Sequence, residues 1–272
     1  GLNLLTASSA TPHLTSDTFL NGRLTVYQHK TGYRFSIDAV LLAGYVRPKA
    51  GDRLIDLGCG CGVIALILAY RYPDLQLFGI EIQPTLSGLA RENVVKNKMS
   101  DRIWILQRDI AAISQKESHG PVDIVVCNPP FGRFRAGRIN PNNERALARH
   151  EIKMTLKDIT AAARRMLRTG GRFFIIFPAE RITDLVCQMR ADRIEPKRMR
   201  TVHSYPTDPA RRILVEGVAG GHAGTSMDSP LVIYHTGGDY TDEVQGVLSE
   251  ADGKTGLSHA SWSGGISTGA CP

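Results

Sequence analysis

The sequence lacks the marks of several large classes. None of its apolar runs is long enough for a membrane span, since the longest are strand-sized or sit within one short helix. The opening segment, GLNLLTASSATPHLTSD, has no basic stretch ahead of an apolar one, so no secretory leader is expected. The five cysteines, Cys59, Cys61, Cys127, Cys187 and Cys271, are an odd number without paired metal-ligand spacing. Cys59-Gly60-Cys61 is too close for a zinc knuckle and no second pair follows, so reduced thiols in the cytoplasm and no metal are expected. No internal repeat is visible.

What is present describes a soluble globular chain. Its 272 residues make one large domain or one domain with appendages, and 42% hydrophobic content is enough for a full core. The net charge of +7 favours an acidic partner, with nucleic acid first.

Alternating apolar and polar residues from Phe19 to Ser36, around Asn21-Gly22 and Thr31-Gly32, suggest short strands or a hairpin. Ser36 or Asp38 is placed to cap a helix carrying Val40, Leu41 and Leu42, which ends at Pro48 and Gly51. Next come a buried strand (Leu54 to Leu57), a turn with Gly58, Gly60 and Gly62, and an almost wholly apolar helix from Val63 to Tyr72. A second strand ends in Glu81, a helix opens at Pro84, and a third strand closes at Asp109. The fourth strand, VDIVVC, stops at Asn128-Pro129-Pro130-Phe131.

A long polar segment from Gly132 to Lys153 carries Arg133, Arg135, Arg138, Arg145 and Arg149, and reads as a functional or mobile loop. A helix with Ile152, Leu156, Ile159 and Ala163 follows, ended by Gly170-Gly171 before a fifth strand, Arg172 to Phe177. Another helix carries Leu185 and Met189, and two or three strands fall within 195–219 and 230–235. Beyond about Val247 the chain is poor in apolar residues and is expected to be loosely attached. The expected division is an N-terminal extension (1–48), a cofactor-binding domain (49–247) and a polar tail (248–272).

Strands alternating with helices predict a parallel sheet covered on both faces, whose carboxyl edge binds ligands. A dinucleotide fingerprint starting at Gly58 would need a small residue at 63, and Val63 stands there. The pattern is instead Asp56-x-Gly58-x-Gly60-x-Gly62, an acid ending the strand and three alternate glycines that let the backbone approach a ligand. The helix N-terminus beyond favours an anionic group, and Asp56 suits an ammonium. Glu81, 23 residues after Gly58, is placed to accept ribose hydroxyls, a spacing shared with nicotinamide enzymes. Two prolines in succession force a rigid exit from the fourth strand. Asn128 and Phe131 are thus held at its end, where an amide oxygen, a proline carbonyl and a flat ring make a receptor for an NH2 group on a planar substrate.

The glycine loop resembles that of class I S-adenosylmethionine-dependent methyltransferases, and with Asn128-Pro129-Pro130-Phe131 the chain resembles the NPPF/NPPY amino-methyltransferases. From about residue 20 to 245, and through the segment Gly32-Tyr33-Arg34-Phe35-Ser36-Ile37-Asp38-Ala39-Val40-Leu41-Leu42-Ala43, it is most similar to the bacterial family that methylates N6 of adenine 37 in valine tRNA. The resemblance implies a Rossmann-like α/β fold with a central seven-stranded, mostly parallel sheet. It implies cofactor contacts from Arg34, Phe35, Ser36, Asp38, Asp56, Gly58, Cys59, Gly60, Gly62, Glu81, Ile82, Asp109, Ile110 and Asn128. Asp109 resembles the acid that accepts from the adenine amino group of the cofactor. Catalysis would fall to Asn128, Pro129, Pro130 and Phe131. Arg133, Arg135, Arg138, Arg145, Arg149, Lys197, Arg198 and Arg200 are candidate phosphate contacts to RNA.

Three other readings fit parts of the pattern. A ribosomal-RNA guanine N2-methyltransferase would use the same NPPF loop, but no duplicated N-terminal domain is visible. A glutamine N5-methyltransferase carries a helical domain ahead of the glycine loop, and only 55 residues precede Asp56 here. A non-catalytic cofactor-binding RNA adaptor would have no use for both an intact glycine loop and NPPF.

Overall fold

A computed structural model describes residues 14–30, 36–130 and 154–249. An antiparallel hairpin comes first, β1 (Leu14–Phe19) and β2 (Leu24–His29), closed by a turn in which Asn21 and Gly22 take positive φ of 55° and 82°. Its inward residues Leu24 and Val26 are buried. The outer edge of β2 is satisfied by side chains from helix α3 (Pro84–Lys96) and the residue beyond it, described below. The hairpin signal around Asn21-Gly22 thus gave the right element.

Helix α1 (Ile37–Tyr45) follows, then strand β3 (Arg53–Leu57) and helix α2 (Val63–Arg71). Seven of the nine α2 residues are buried, from Val63 to Ala69, which is why its sequence shows no polar stripe. Strand β4 (Gln76–Glu81), α3, strand β5 (Ile103–Gln107) and strand β6 (Val122–Cys127) complete the first half. The second half holds helix α4 (Leu156–Met166), strand β7 (Leu167–Pro178), helix α5 (Ile182–Ala191) and strands β8 (Ile194–His203) and β9 (Arg212–Ala219). Two-residue strands β10 (Ser226–Met227) and β11 (Leu231–Val232) and helix α6 (Asp242–Leu248) end the described chain.

The main sheet has the order β10-β8-β9-β7-β6-β3-β4-β5, with β11 also on β8. Strands β7, β6, β3, β4 and β5 are mutually parallel, and β9 runs antiparallel between β7 and β8. Seven strands of five or more residues match the expected mostly parallel sheet, and β10 and β11 bring the total to nine. One buried cluster packs α1, α2, α3, α6 and the hairpin on one face, and a second packs α4 and α5 on the other.

One local expectation needs correction. Helix α4 ends at Met166, not at Gly170-Gly171, and β7 starts at Leu167 with a register shift against β6 between Val122 and Ile124. Gly171 belongs to that shift: a β-carbon there would lie 2.9 Å from the Arg168 carbonyl and 3.2 Å from that of Asp123. The start of α4 is set by a capping box, in which Thr155 Oγ1 accepts from Asp158 N–H at 3.1 Å and the Asp158 carboxylate accepts from Thr155 N–H at 3.0 Å. At the end of the described chain α6 is docked through Leu248, and residues 250–272 of the segment expected to be loosely attached lie outside the described residues. Val244 and Val247 are buried, and Leu20 N–H donates to the Leu248 carbonyl at 3.3 Å.

Candidate active site

The strand register places the site. Leu57 of β3 pairs with Ile80 of β4 and with Cys127 of β6. Gly58, Glu81 and Asn128, each one residue further, therefore form a row across three neighbouring strand ends, spaced by about 4.8 Å per strand. Glu81 pairs in turn with Gln107, so Asp109 stands two residues beyond this row on the fourth strand end. Residues separated by up to 70 positions in sequence meet on one edge because all four strands run the same way.

The glycine loop hangs on β4, with the N–H groups of Gly58 and Cys59 both donating to the Ile80 carbonyl, at 2.8 and 3.0 Å. Gly58, Gly60 and Gly62 have φ of 71°, 56° and 87°, a region in which side chains are strained, so the three glycines are required by conformation. Glu81 bridges the loop to α3: its carboxylate accepts from Gly60 N–H at 3.0 Å and Gln83 N–H at 2.9 Å. Burial raises its pKa, while those backbone donors and that of Ile82 pull it back. Cys59 is buried with its Sγ against Gly79, where a β-carbon would lie 2.8 Å away, and burial keeps its thiol protonated. It fills space in the loop.

Two acceptors at this edge are unsatisfied. Asp56 is 1% exposed, and neither carboxylate oxygen has a hydrogen-bond partner among the described residues. Burial first and the Glu81 charge second push its pKa up to about 8. Asn128 Oδ1 is likewise buried with no partner among the described residues, beside the buried Pro129 and half-buried Pro130. Orphan buried acceptors are uncommon in folded proteins, and two on one sheet edge mark where donors from a ligand belong. A cation suits the Asp56 carboxylate, and an N–H group suits Asn128.

The other expected contacts are placed as follows. Asp109 is exposed and caps a 3-10 turn, Ile110–Ala112, accepting from Ala111 N–H at 2.9 Å, with Ile110 next to it buried, while Ile82, next to Glu81, is half-buried. Ser36 occupies the N-cap position of α1 without a side-chain capping bond, and Asp38 does not cap either. Its carboxylate accepts from Arg212 Nε at 3.1 Å, joining α1 to β9. Arg34, Phe35, Phe131, Arg133, Arg135, Arg138, Arg145 and Arg149 lie outside the described residues.

Of the expected RNA contacts on β8, Arg200 is 1% exposed, and its guanidinium makes a two-pronged pair with Glu243 at 2.7 and 2.9 Å and donates to the Ser229 carbonyl at 2.8 Å. It anchors α6 and is turned away from solvent, which withdraws it from any phosphate contact. Arg198 pairs with Glu216 at 2.9 Å and lies over the Tyr45 ring, and Lys197 Nζ donates to the His222 carbonyl at 3.0 Å. Four further residues shape the site and its surroundings. Met154 Cε would lie 2.6 Å from a β-carbon at Gly58, so this side chain packs against the glycine loop. Asn93 Nδ2 donates to the Cys61 and Tyr27 carbonyls, both at 2.9 Å, while its Oδ1 accepts from Tyr27 N–H at 2.9 Å. Asn97 repeats that exchange with Thr25, so two amides stand in for a neighbouring strand of β2. Arg212 holds Asp38 as described.

Among the described residues no group of three His, Cys, Asp or Glu is placed to hold a metal ion, and no helix is long and apolar enough to cross a membrane. A mostly parallel sheet with an acid-led glycine loop and an acid at the end of the next strand defines an S-adenosylmethionine-dependent α/β methyltransferase. The model of the methyltransferase small domain family matches residues 34–184, and the chain belongs to that family. It is 34% identical over 239 residues to the tRNA1(Val) (adenine(37)-N6)-methyltransferase of Porphyromonas gingivalis, covering 84% of this chain and 92% of that protein. The protein of the same name from Parabacteroides distasonis is 30% identical, covering 71% and 80%. Among solved structures, a predicted O-methyltransferase from Agrobacterium tumefaciens superposes with a TM-score of 0.63 at 22% identity, over 78% of this chain and 95% of that one, a likeness of fold.

Proposed function

We propose that this chain methylates N6 of an adenine in tRNA, using S-adenosylmethionine. The observation that carries the reading is the orphan Asn128 Oδ1, held in one row with the glycine loop. The shared name of the relatives supplies the substrate. The cofactor, when bound, supplies an electrophilic methyl group. Asp56 would meet its ammonium, Glu81 its ribose hydroxyls, and Asp109 with Ile110 its adenine, with Arg34, Phe35, Ser36 and Asp38 closing from the upstream segment.

An exocyclic amine is a poor nucleophile because its lone pair is delocalised into the ring. Asn128 Oδ1 and the Pro129 carbonyl accept its two N–H bonds and draw the nitrogen towards tetrahedral geometry. Phe131 stacks on the base, and holding the two reactants in line supplies most of the rate gain. A loop purine costs less to extract than a paired one. Arg133, Arg135, Arg138, Arg145 and Arg149 are the proposed phosphate contacts, with Lys197 and Arg198 at the margin because both already have partners. The substrate places this work in the cytoplasm, and residues 49–247 form the methyltransferase domain between extension 1–48 and tail 248–272.

The test is to partition label from methyl-labelled cofactor among tRNA, ribosomal RNA and total protein. Label in tRNA supports the reading, whereas label confined to ribosomal RNA or to protein replaces it with the guanine or glutamine alternative.

A further inference from the structure

The catalytic edge of the sheet carries an aromatic stack that the reaction does not use. Strand β8 runs antiparallel to β9, β9 antiparallel to β7, and β7 parallel to β6, so β8 ends on the same edge as Asn128. Arg212 pairs both with Val202 of β8 and with Pro178 of β7, so the β8–β9 loop, residues 204–211, leaves the sheet level with the end of β7. Three strand spacings separate β8 from β6, about 14 Å along the edge. That distance is too great for the target base itself and suits a neighbouring nucleotide.

Tyr205 in this loop lies against Tyr234 with ring centroids 5.5 Å apart, and Tyr234 stacks on Tyr240 at 5.3 Å and 17°. Tyr234 and Tyr240 are half-buried, while Tyr205, the outer ring, is 37% exposed. The loop is held in place: Asp208 N–H donates to the Tyr205 carbonyl at 3.1 Å, His203 Nδ1 bonds the Asp208 carbonyl at 2.7 Å, and Arg211 N–H donates to the Val202 carbonyl at 2.9 Å. Arg211 is exposed, and its guanidinium has no partner among the described residues, in contrast to Arg212, which Asp38 holds. Asp208 is the loop's single acid and Arg211 its single basic residue.

A pre-set exposed ring backed by two others, on the same short loop as an exposed guanidinium, has the chemistry of a single-stranded nucleic-acid contact. The ring offers a stacking face for a base, and the cation offers a phosphate partner. We infer that Tyr205 and Arg211 form a shelf for a nucleotide flanking the target adenine, its base stacked on Tyr205 and its phosphate paired with Arg211. This rests on the tRNA reading above and adds an RNA contact beyond the arginines proposed there.

The test uses the full chain with unmodified tRNA transcripts, measuring tRNA affinity across a salt series, cofactor affinity and thermal midpoint for Tyr205→Phe, Tyr205→Leu, Tyr205→Ala and Arg211→Ala. Tyr205→Phe should bind tRNA as the wild type does, while the Leu and Ala variants should bind roughly tenfold more weakly with unchanged cofactor affinity. Arg211→Ala should lower the salt slope by about one. A purely structural Tyr205 would move the thermal midpoint and leave tRNA affinity alone. Wild-type tRNA binding in the Leu, Ala and Arg211 variants would overturn the shelf while the wild-type enzyme still methylates tRNA. A wild-type enzyme that transfers no methyl to tRNA would overturn the substrate reading and the shelf with it.

Discussion

The buried carboxylate of Asp56 couples this protein's stability and its cofactor affinity to a single proton. Its pKa moves from an ordinary 3.8 to about 8, through burial and then the Glu81 charge. Below pH 3.8 both folded and unfolded chains hold the proton and the group is neutral in its effect. Between 3.8 and 8 the unfolded chain releases it while the folded chain keeps it, so stability falls as pH rises, by up to about 1.4 kcal/mol per unit. Replacing Asp56 by Asn keeps the shape and removes the titration. From pH 5 to pH 8, the wild type without cofactor should lose roughly 4 kcal/mol relative to Asp56→Asn. At about 2–4 °C per kcal/mol this is a relative shift of about 10 °C in thermal midpoint, read by calorimetry across a pH series. Binding of a cationic cofactor reverses the preference, so binding between pH 5.5 and 7.5 should release close to one proton. That release is measurable as a dependence of binding heat on buffer ionisation enthalpy, and it should be absent in Asp56→Asn. A pH-independent stability difference, or proton uptake on binding, would refute the assignment.

Four other substitutions test separate parts of the account. Asn128→Ala should lower kcat/KM for methyl transfer by about 10²–10³ with cofactor affinity within twofold, and an equal loss of cofactor binding would count against its role as acceptor for the substrate. Asn93→Ala orphans the Tyr27 N–H and carbonyl and the Cys61 carbonyl, so chemical denaturation should show a loss of about 3 kcal/mol. Arg200→Ala removes the two-pronged pair to Glu243 and the bond to the Ser229 carbonyl and should cost about 3 kcal/mol in stability, with the salt dependence of tRNA binding unchanged. Charge reversal at Arg133 and Arg135 should weaken tRNA binding and flatten its salt dependence, and unchanged binding would remove both from the interface.

The parts of the site that lie close together in the chain were legible in the sequence, because their signals are local. Asp56 and the three glycines occupy seven consecutive residues, and the two prolines fix Asn128 without help from elsewhere. The meeting of Gly58, Glu81 and Asn128 in one row depends on strand register, which no local pattern specifies. Arg200 shows a signal that could have been used: it shares its strand face with Val202, two residues on, and Val202 is buried. Its partner Glu243 lies 43 residues away and could not be read at all. Asn93 gave a subtler sign, a polar residue in the stripe of Leu86, Leu89 and Ala90, where burial without partners would be costly. Met154 against Gly58 left no trace in sequence, since contact between a loop end and a glycine obeys no period. The helix at 242–248 was missed because it is short and its surroundings are polar, and it is held by long-range pairs instead.

The most direct measurement is nucleoside mass spectrometry of unmodified tRNA after incubation with S-adenosylmethionine and either the wild-type protein or Asn128→Ala. N6-methyladenosine formed by the wild type and reduced at least a hundredfold by the variant is the predicted result. A methylated guanosine, or N6-methyladenosine formed equally by both proteins, would contradict the account.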